Sequence, residues 1–481
     1  MAGNDSDRKP VVVWFRHDLR LDDHPAFVAA AATGSPVICV YILDKTTYLE
    51  SSIGGAYQWW LHDALASLNA ELEELGGYLL TFEGRADEIL PEIVRQSGAA
   101  SVFAHHRVLD KERQQDQHIS SLLSEMGVGF QLDWGTTLRH PCDVLTKERR
   151  SYKVYTAFWK VLRSLGAEEP VDVPEHVQFS AHGDDLLKDQ RLNAANLRSE
   201  KPDWAAGFRA SWRVDSHAAH QALDVFLDDH CSEYATARDH MAEEGTSRLS
   251  AYLASGLISP RRVWSEVHKR NEKGKGAEVF ASEIGWREFA HYTLFHTPSL
   301  PYESITEKFR ALPWRKSAHD LKAWQRGKTG VPIVDAAMRQ LWQTGWMHNR
   351  ARMIVGSFLT KHLLINWQEG EAWFRDTLVD YDAASNAMNW QWVSGTGIDA
   401  APFFRVFNPT LQAEKFDPDG VYLKRWVPEL SKLSGKVLFE PWKASEATLR
   451  AAGVTLGKNY PQPIVDLPEG RDRALSAFKA L

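Results

Sequence analysis

The chain has 481 residues, of which 44% are hydrophobic and 25% are charged, and its formal net charge is −7. This length exceeds one average core and predicts two domains. The acidic balance excludes a globally basic nucleic-acid-binding protein, so any such site must be a local patch. Three isolated cysteines form neither a metal motif nor a disulfide framework, which indicates a reducing cytoplasm. No apolar run suits a signal peptide or a membrane span.

Short apolar runs alternate with helical patterns in the first third of the chain. The runs that predict strands are Val11–Phe15, Val37–Leu43, Tyr78–Phe82, Ser101–Ala104 and Val128–Leu132. The helices predicted between them are Tyr57–Leu75, Ala86–Gln96 and Lys111–Met126. Strands separated by helices predict a doubly wound parallel sheet, so residues 1–137 are assigned to a Rossmann-like α/β domain. No G-x-G-x-x-G follows the first strand, and composition favours a solvated turn over Arg16–Pro25.

Residues 138–203 are mixed in character and are assigned to a connector that carries one helix near Tyr152–Leu165. From residue 204 to residue 481 helical patterns dominate, which predicts an all-α domain. Gly245–Val267 is interpreted as two helices, and Ile333–Gly345 and Asn349–Ile365 as further helices.

The segment Glu244–Ser250 places Thr246, Ser247 and Ser250 around Arg248 at the start of a predicted helix. Backbone N–H groups, hydroxyls and a cation together suit a bound diphosphate. The alternative is an ordinary N-cap, for which hydroxyl side chains are common.

Between Ala336 and Gln368 the sequence has no acidic residue. Its basic side chains are Arg339, Arg350, Arg352 and Lys361, together with His348 and His362. Interleaved with tryptophans, these groups suit a nucleic-acid face, with phosphates on the cations and bases on the rings. A helical core with snorkelling cations is the alternative.

Tryptophan is unusually frequent, with 19 in the chain and nine of them from Trp286 to Trp392. Trp314, Trp367 and Trp390 are interpreted either as three core anchors or as a relay for electron hops. Their spacing in the sequence does not show whether they touch.

Asp380–Trp392, with the sequence DYDAASNAMNWQW, combines two carboxylates, an amide and two indoles in thirteen residues. Ordinary packing rarely needs that mixture, so the segment predicts a buried polar cofactor with aromatic rings around it. Motifs of metalloproteases, Walker A nucleotide sites and nucleophile elbows are absent from the sequence, and Asp22-Asp23 has the pattern of a surface cap.

Taken together, these motifs resemble the photolyase/cryptochrome flavoprotein family over nearly the whole chain. The segments that carry the resemblance are Trp14–Ala26, Glu244–Ser250, Glu283–Phe289, Gly327–Leu341, Gly345–Met353, Asp380–Pro409 and Glu414–Asp417. More narrowly, they are similar to cyclobutane pyrimidine dimer (CPD) photolyases of class I or class III.

The resemblance implies FAD in the helical domain. The implied FAD-binding residues are Tyr234, Thr246, Ser247, Arg248, Leu249, Ser250, Glu283, Arg287, Asn349, Arg352, Asp380, Tyr381, Asp382 and Asn386. Arg352 and Asp380 match an ion pair beside the flavin ring, and a cation there would stabilise an anionic reduced flavin. Asn386 matches the position that faces flavin N5. Many cryptochromes carry Asp or Cys there, so this residue favours repair.

The implied activity is light-driven DNA repair by a deoxyribodipyrimidine photo-lyase. Excited, reduced FAD donates an electron to a flipped-out CPD, which splits into two pyrimidines, and the electron returns. Base flipping is generally attributed to photolyases. Glu283, Asn386, Trp390, Trp367 and Trp314 match the catalytic and electron-relay positions, and Trp373 is a further branch of that relay.

The partner implied is UV-damaged DNA. Residues that match lesion or DNA contacts are Arg238, Glu283, Trp286, Asn349, Arg350, Met353, Trp392, Arg405 and Gln412. The resemblance implies a cytoplasmic monomer with no obligate protein partner and no membrane association. A second, antenna chromophore is predicted to be methenyltetrahydrofolate, with Glu112 nearby and Trp59 or Trp60 as stacking partners. An 8-hydroxydeazaflavin, or no antenna at all, is the alternative.

Other readings of the resemblance stay open at this point. A cryptochrome-like light sensor would bind FAD without repairing DNA, and a light-independent flavin oxidoreductase would need a substrate motif that the sequence lacks. The (6-4) photolyases carry His at the positions of Asn349 and Met353, which disfavours that branch.

Overall fold

The structure is a computed structural model that describes residues 8–46, 53–181, 185–198, 202–271 and 274–481. Five parallel strands form one sheet in the order β3-β2-β1-β4-β5, where β1 is Val11–Phe15, β2 Val37–Leu43, β3 Leu79–Glu83, β4 Ser101–His105 and β5 Gly129–Asp133. Each predicted strand is present to within one residue. Helices α1 Pro25–Ala32, α2 Gly55–Glu74, α3 Ala86–Ser97 and α4 Asp110–Glu125 lie between them in the chain. The predicted parallel sheet is therefore confirmed.

The other regular elements of the described chain are helices joined by loops. The helices in chain order are α5 Tyr155–Leu165, α6 Ala206–Ser211, α7 Ser216–Val225, α8 Tyr234–Ala237, α9 Ser250–Ser255, α10 Pro260–Asn271, α11 Lys275–His296, α12 Ala318–Gln325, α13 Pro332–Thr344, α14 Asn349–Ser357, α15 Trp367–Thr377, α16 Ala383–Ser394, α17 Pro409–Phe416, α18 Val421–Trp426, α19 Lys436–Phe439, α20 Glu446–Ala451 and α21 Leu467–Lys479. No helix of the described ranges has the length and apolar character that crossing a bilayer requires.

Two compact units are each built from separate stretches of sequence. The first, here called the sheet unit, comprises Met1–Trp204, Arg213–Cys231 and Ser247–Pro298. The second, here called the helical unit, comprises Ala205–Trp212, Ser232–Thr246 and Ser299–Leu481. Helices α7 and α9–α11 thus belong with the sheet. The division into 1–137, 138–203 and 204–481 stays a prediction.

The loop Arg16–Pro25 explains why late helices join the sheet unit, and here the expected solvated turn is wrong. Arg20 is 1% exposed and Asp23 is 0% exposed. The Arg20 guanidinium donates to the carbonyls of Gly256 at 3.0 Å and Gly135 at 2.7 Å. A Cβ on Gly256, whose φ is +78°, would lie 2.3 Å from the carbonyl oxygen of His17. Only glycine allows this close approach.

Asp23 forms the strongest single link in this loop. Its carboxylate accepts from Arg261 Nη2 at 2.5 Å and from Nε at 3.0 Å, and from Ser259 Oγ at 2.5 Å. A bidentate pair of this kind is geometrically specific. The expectation that Asp22 and Asp23 form a surface cap is therefore wrong for Asp23, because the buried arginine that needs it is more than two hundred positions away.

Asp18, His24 and His105 form a buried cluster in the same unit, with ligand atoms close enough together to suggest a metal site. The Nδ1 of His24 accepts from the Phe27 N–H at 3.0 Å, and the Nε2 of His105 faces the Ala26 N–H at 3.4 Å. The protons therefore sit on the opposite nitrogens, which face Asp18 Oδ2 at 3.3 and 2.7 Å. In a metal-bound imidazole, the ring nitrogen that faces away from the metal carries the proton. Here that nitrogen accepts a hydrogen bond from a backbone N–H and so cannot carry a proton. These contacts favour two imidazoles that face the Asp18 carboxylate over a metal site.

The Asp23–Arg261 pair gives a stability prediction. We expect Asp23→Asn to lower the free energy of unfolding by about 3 kcal/mol, because a buried guanidinium then loses its main counter-charge. Urea-induced unfolding followed by circular dichroism measures this change. Asp22→Asn is the matched control, since Asp22 bonds Arg262 with a side chain that is 26% exposed, and its loss should cost about 1 kcal/mol or less. Equal losses from the two variants would contradict the role given to Asp23.

Candidate functional site

The segment Asp380–Asp382 leads into α16 in the helical unit. Asp380 Oδ2 accepts from Arg352 Nη2 at 2.6 Å, so the matched ion pair is present. Arg352 is also oriented by a hydrogen bond from its Nε to the Met347 carbonyl at 2.8 Å. Asp382 is the N-cap of α16, and its carboxylate accepts from the Ser385 N–H at 2.7 Å.

Asp380 offers one further acceptor. Its side chain is 1% exposed, and the buried Oδ1 has no hydrogen-bond partner among the described residues. A buried carboxylate oxygen without a donor is costly, so it fits an N–H group supplied by a bound molecule. With the adjacent Arg352 cation, these residues fit the polar edge of a flavin.

Asn386 lies one turn further along α16 and is 8% exposed. Its Nδ2 donates to the Glu371 carbonyl at 3.1 Å and to Glu371 Oε1 at 2.9 Å. Glu371 is itself held by Arg375 Nη2 at 3.4 Å. These bonds fix which way the amide points, so the Asn386 oxygen is left as the acceptor on the other side. Sequence reasoning missed Glu371, which lies on a different helix from Asn386.

The relay candidates share one hydrophobic core. Trp390 is 3% exposed and Trp367 is 1% exposed, and half-buried Trp314 packs against the same cluster. A Cβ on Gly370 would lie 2.1 Å from the Trp390 ring, so α15 approaches this indole as closely as glycine allows. The three tryptophans therefore pack as core residues, as one of the two interpretations predicted. This packing is compatible with a relay for electrons, which stays a prediction.

Trp373, the predicted branch, also packs against this core. Its ring lies parallel to that of Trp342, with centroids 5.9 Å apart and an interplanar angle of 5°. Trp342 is 59% exposed, so this pair connects the core with the solvent. Trp342 was not singled out in the sequence.

Helix α14 carries four of the matched residues. Asn349 is exposed, and Arg350, Arg352 and Met353 are half-buried. Arg350 pairs with Asp239 at 2.7 Å, and its Nη1 lies 3.6 Å from the Met353 sulfur. The nucleic-acid role of the acid-free segment stays a prediction, while part of the segment is a helical core. Its Lys361, His348 and His362 are in the core, being 0%, 2% and 2% exposed.

Arg405 is exposed, and Trp392 and Gln412 are half-buried in the helical unit. Of the remaining matched residues in this unit, Tyr234 is 7% exposed, and the guanidinium of Arg238 lies 5.3 Å from the Tyr234 ring centroid. Thr246 is half-buried at the end of its segment.

The segment Ser247–Ser250 belongs to the sheet unit. Ser247 Oγ accepts from the Leu249 N–H at 3.4 Å, and Leu249 is 1% exposed. Helix α9 begins at Ser250, and no side chain caps it. These hydroxyls therefore do not form an ordinary side-chain N-cap for α9. Arg248 has φ of +52°, a left-handed conformation that is uncommon for a residue other than glycine.

Helix α11 carries the matched residues Glu283, Trp286 and Arg287. Glu283 and Trp286 are half-buried. Arg287 Nη1 donates to the Thr136 carbonyl at 3.0 Å and pairs with Glu288 at 2.9 Å. Burial raises the pKa of Glu288, which still accepts from a backbone N–H. Arg287 thus has protein partners already, and its role toward FAD stays a prediction.

Glu112, the predicted antenna residue, is 8% exposed, and its Oε1 lies 3.2 Å from His17 Nε2 and 3.9 Å from Arg107. The suggestion that Trp59 or Trp60 stacks on an antenna is wrong. The two rings are 2% and 0% exposed, and Trp60 Nε1 donates to a buried serine at 2.9 Å.

Comparison with known proteins gives the family. Residues 11–175 match the DNA photolyase family, and residues 280–480 match the FAD binding domain of DNA photolyase. The deoxyribodipyrimidine photo-lyase of Agrobacterium fabrum is 46% identical over 98% of both chains, and that of Escherichia coli is 38% identical, also over 98% of both. Cryptochrome-1 of Arabidopsis thaliana is 33% identical over 98% of this chain and 70% of its own length.

Solved structures agree. The crystal structure of a bacterial class III photolyase from Agrobacterium tumefaciens gives a TM-score of 0.93 at 44% identity, covering 100% of this chain and 99% of that one. The α/β sheet unit and the FAD-binding helical region define a two-part flavoprotein. The chain belongs to the DNA photolyase family.

His348 gives a pH prediction for the helical unit. Burial lowers its pKa to about 4, and Asp239 opposes this while neighbouring arginines add to it. Below the usual value of about 6.5, the unfolded chain takes up a proton that the buried imidazole refuses. Stability therefore falls as the pH drops from about 6.5 to about 4, with a loss of about 3 kcal/mol at most from this residue.

His348→Asn isolates this contribution. His348 Nδ1 accepts from the Arg350 N–H at 3.1 Å as the N-cap of α14, and an asparagine oxygen can accept in its place. We expect the unfolding free energy of the variant to fall less steeply than that of the parent protein between about pH 7 and about pH 4. Parallel curves would show that His348 is not the group responsible.

Proposed function

We propose that this chain is a CPD photolyase, which repairs pyrimidine dimers in UV-damaged DNA by light-driven electron transfer. The observation that carries this proposal is the arrangement of three side chains, with Asn386 on α16, Asp380 just before that helix, and Arg352 on α14 paired with Asp380. It offers one oriented amide oxygen, one buried carboxylate oxygen and one cation within a single helical unit. When bound and reduced, FAD supplies the light-excited electron that splits the dimer.

The chain's own residues hold and orient that group. Arg352 balances negative charge at the flavin edge, and Asp380 both fixes Arg352 and offers its open oxygen. Glu371 keeps the Asn386 amide from rotating, so that the oxygen faces the ligand with no reorganisation at the moment of reaction. Tyr234 and Thr246–Ser250 are proposed to contact the diphosphate and neighbouring groups of FAD, and Asp382 to lie near the ring or the ribityl chain. The other matched residues proposed to contact FAD are Glu283, Arg287, Asn349 and Tyr381.

The lesion is proposed to leave the base stack, as is general for enzymes that act on a base. Trp286 stacks on the dimer, Glu283 hydrogen-bonds it, and Trp392 and Met353 contact it. Asn349 is proposed to line the same cavity as Met353, and contacts to the flanking DNA are proposed for Arg238, Arg350, Arg405 and Gln412. These are local cations and amides, so DNA binding needs no basic total charge. A monomeric state and a cytoplasmic location stay predictions.

A cryptochrome-like sensor is the second candidate. It is less favoured because two photo-lyases match over 98% of their own length at 46% and 38% identity. Cryptochrome-1 is matched over 70% of its length at 33% identity.

The repair reaction itself is the test of the proposed function. With reduced protein and blue light, a CPD-containing oligonucleotide is expected to return to intact thymines, and no conversion is expected in the dark. An oligonucleotide with a (6-4) lesion is the control and should remain unchanged. A protein with FAD bound and reduced that leaves the CPD intact would contradict the proposal, and repair of the (6-4) lesion alone would move the chain to the other branch.

The relay gives a separate prediction. Trp390→Phe should abolish photoreduction of oxidised FAD, because phenylalanine is much harder to oxidise than the buried indole that it replaces. Repair by chemically reduced variant should continue at the parent rate. Phe374→Leu is the control for packing, since its ring contacts Trp390 at a centroid distance of 5.0 Å without an oxidisable group. Loss of both reactions in Trp390→Phe would contradict a relay role.

We also propose a place for the antenna chromophore. The crevice at the carboxyl ends of β1, β2 and β4, lined by Arg16, Asp44 and Arg107, holds only about 20 Å³ of free volume. A larger groove of about 150 Å³ lies among α5, α10 and α11 of the sheet unit, lined by Trp159 and Trp264. Two indoles suit a flat conjugated ring, which supports a folate in this groove.

Trp264→Leu tests the antenna site. We expect the variant to bind less 5,10-methenyltetrahydrofolate per FAD, since one aromatic wall of the groove is lost. The amount is measured after reconstitution with the folate, extraction and quantification of both chromophores. Trp60→Phe is the control from the buried core, and its folate content should not change. An unchanged folate content in Trp264→Leu would place the antenna elsewhere.

A further inference from the structure

Tyr155, at the start of α5, lies flat against Trp286 of α11. The two ring centroids are 3.7 Å apart and the planes differ by 9°, which is a full-face stack. Tyr155 lies in the stretch that the sequence assigned to a connector, and no site role was expected there. The contact lies wholly within the sheet unit.

The Tyr155 ring cannot easily turn. Its hydroxyl donates to the Ser282 carbonyl at 2.7 Å, one turn before Trp286 on the same helix, and the residue is 6% exposed. A Cβ on Gly285 would lie 2.5 Å from the Trp159 ring and 2.9 Å from the Tyr155 hydroxyl oxygen. Glycine at this position is therefore what lets α5 approach α11 closely enough for the stack.

The ring contacts described for Trp286 lie on one face and one edge of its indole. Tyr155 covers one side of the indole, and Phe289 meets its edge at a centroid distance of 6.1 Å and an angle of 73°. Trp286 is nevertheless only half-buried. We take the side opposite Tyr155 as the one on which a flat ligand stacks, so that the plane of the indole is set before binding. Fixing a binding group in advance reduces the entropy lost on association.

We propose that Tyr155 is a positioning residue for lesion recognition, which holds Trp286 in the plane that a pyrimidine dimer stacks on. This inference rests on the proposed function, because it takes Trp286 to be the stacking surface. Tyr155 does not touch the lesion. Its hydroxyl fixes its own ring, its ring fixes the indole, and the indole receives the dimer.

Two substitutions separate the stack from the hydroxyl. Tyr155→Leu removes the aromatic face, and we expect affinity for a CPD-containing oligonucleotide to fall roughly three- to tenfold, the scale of one lost aromatic pair. Tyr155→Phe keeps the ring and should restore most of the affinity. Affinity for the undamaged oligonucleotide should be unchanged in both. In repair kinetics, Tyr155→Leu should raise KM for the dimer and leave kcat close to the parent value.

Phe158→Leu is the matched control. Phe158 lies on the same helix and packs against Phe289 and Tyr292 at centroid distances of 5.1 and 4.7 Å. It is 2% exposed, so its loss perturbs the same core. If Tyr155→Leu acts only by loosening α5, Phe158→Leu should weaken dimer binding equally, and that result would overturn the inference. The FAD content and Tm of each variant are measured beside the affinities.

Trp286→Ala separates the stacking of the dimer on Trp286 from the positioning of Trp286 by Tyr155. If it weakens dimer binding and Tyr155→Leu does not, the positioning role is overturned and the proposed stacking stands. If Trp286→Ala leaves dimer affinity unchanged, Trp286 is not the stacking surface and the inference about Tyr155 is overturned. The proposed function is then still tested by the repair assay. Where both single variants weaken binding, the double variant should bind no more weakly than Trp286→Ala alone, because Tyr155 acts only through the indole. Additive losses would overturn the inference.

Discussion

Asp23 and Arg261 form a buried, bidentate ion pair. The joining of late chain segments to the sheet unit depends on this pair. Through this pair the loop after β1 holds α10, and Arg20 holds the end of α9 through the Gly256 carbonyl. Late segments of the chain thereby join a sheet built from the first 133 residues. Since a buried charge is stable only with its partner, the link is specific as well as strong. Ser247–Ser250 and α11, which carry matched FAD and lesion residues, belong to the unit that this loop organises.

In the helical unit, hydrogen bonds determine the orientation of individual polar side chains. Glu371 fixes the amide of Asn386, and Arg352 fixes one oxygen of Asp380 and leaves the other open. Glu371, Asn386 and Asp380 are almost fully buried, so a wrong orientation would leave a donor or acceptor unsatisfied at a cost of about 1–3 kcal/mol. The site is thus prepared before its ligand arrives, which is what electrostatic stabilisation requires.

Much of this could be predicted from the sequence, and the failures have a common cause. Apolar runs placed all five strands to within one residue, and the pattern is clearest for β1 and β2, which are buried along their whole length. The loop Arg16–Pro25 was misjudged, since charges look solvated unless their distant partners are known. Glu371 and Tyr155 were missed for the same reason, since each contacts its partner residue on another helix. Asp380, Arg352 and Asn386 were found through family resemblance, and their contacts were not visible in the sequence.

Light absorbed by reduced FAD should drive dimer repair in this protein. An action spectrum of repair is the direct test. The initial repair rate of the reduced protein is measured across the near-ultraviolet and blue, at equal photon flux, beside the absorption spectrum of the same sample. The repair rate should follow the absorption of reduced FAD, with an added band only when a second chromophore is bound, and there should be no repair in the dark. Repair in the dark, or a spectrum unrelated to the flavin, would contradict this expectation.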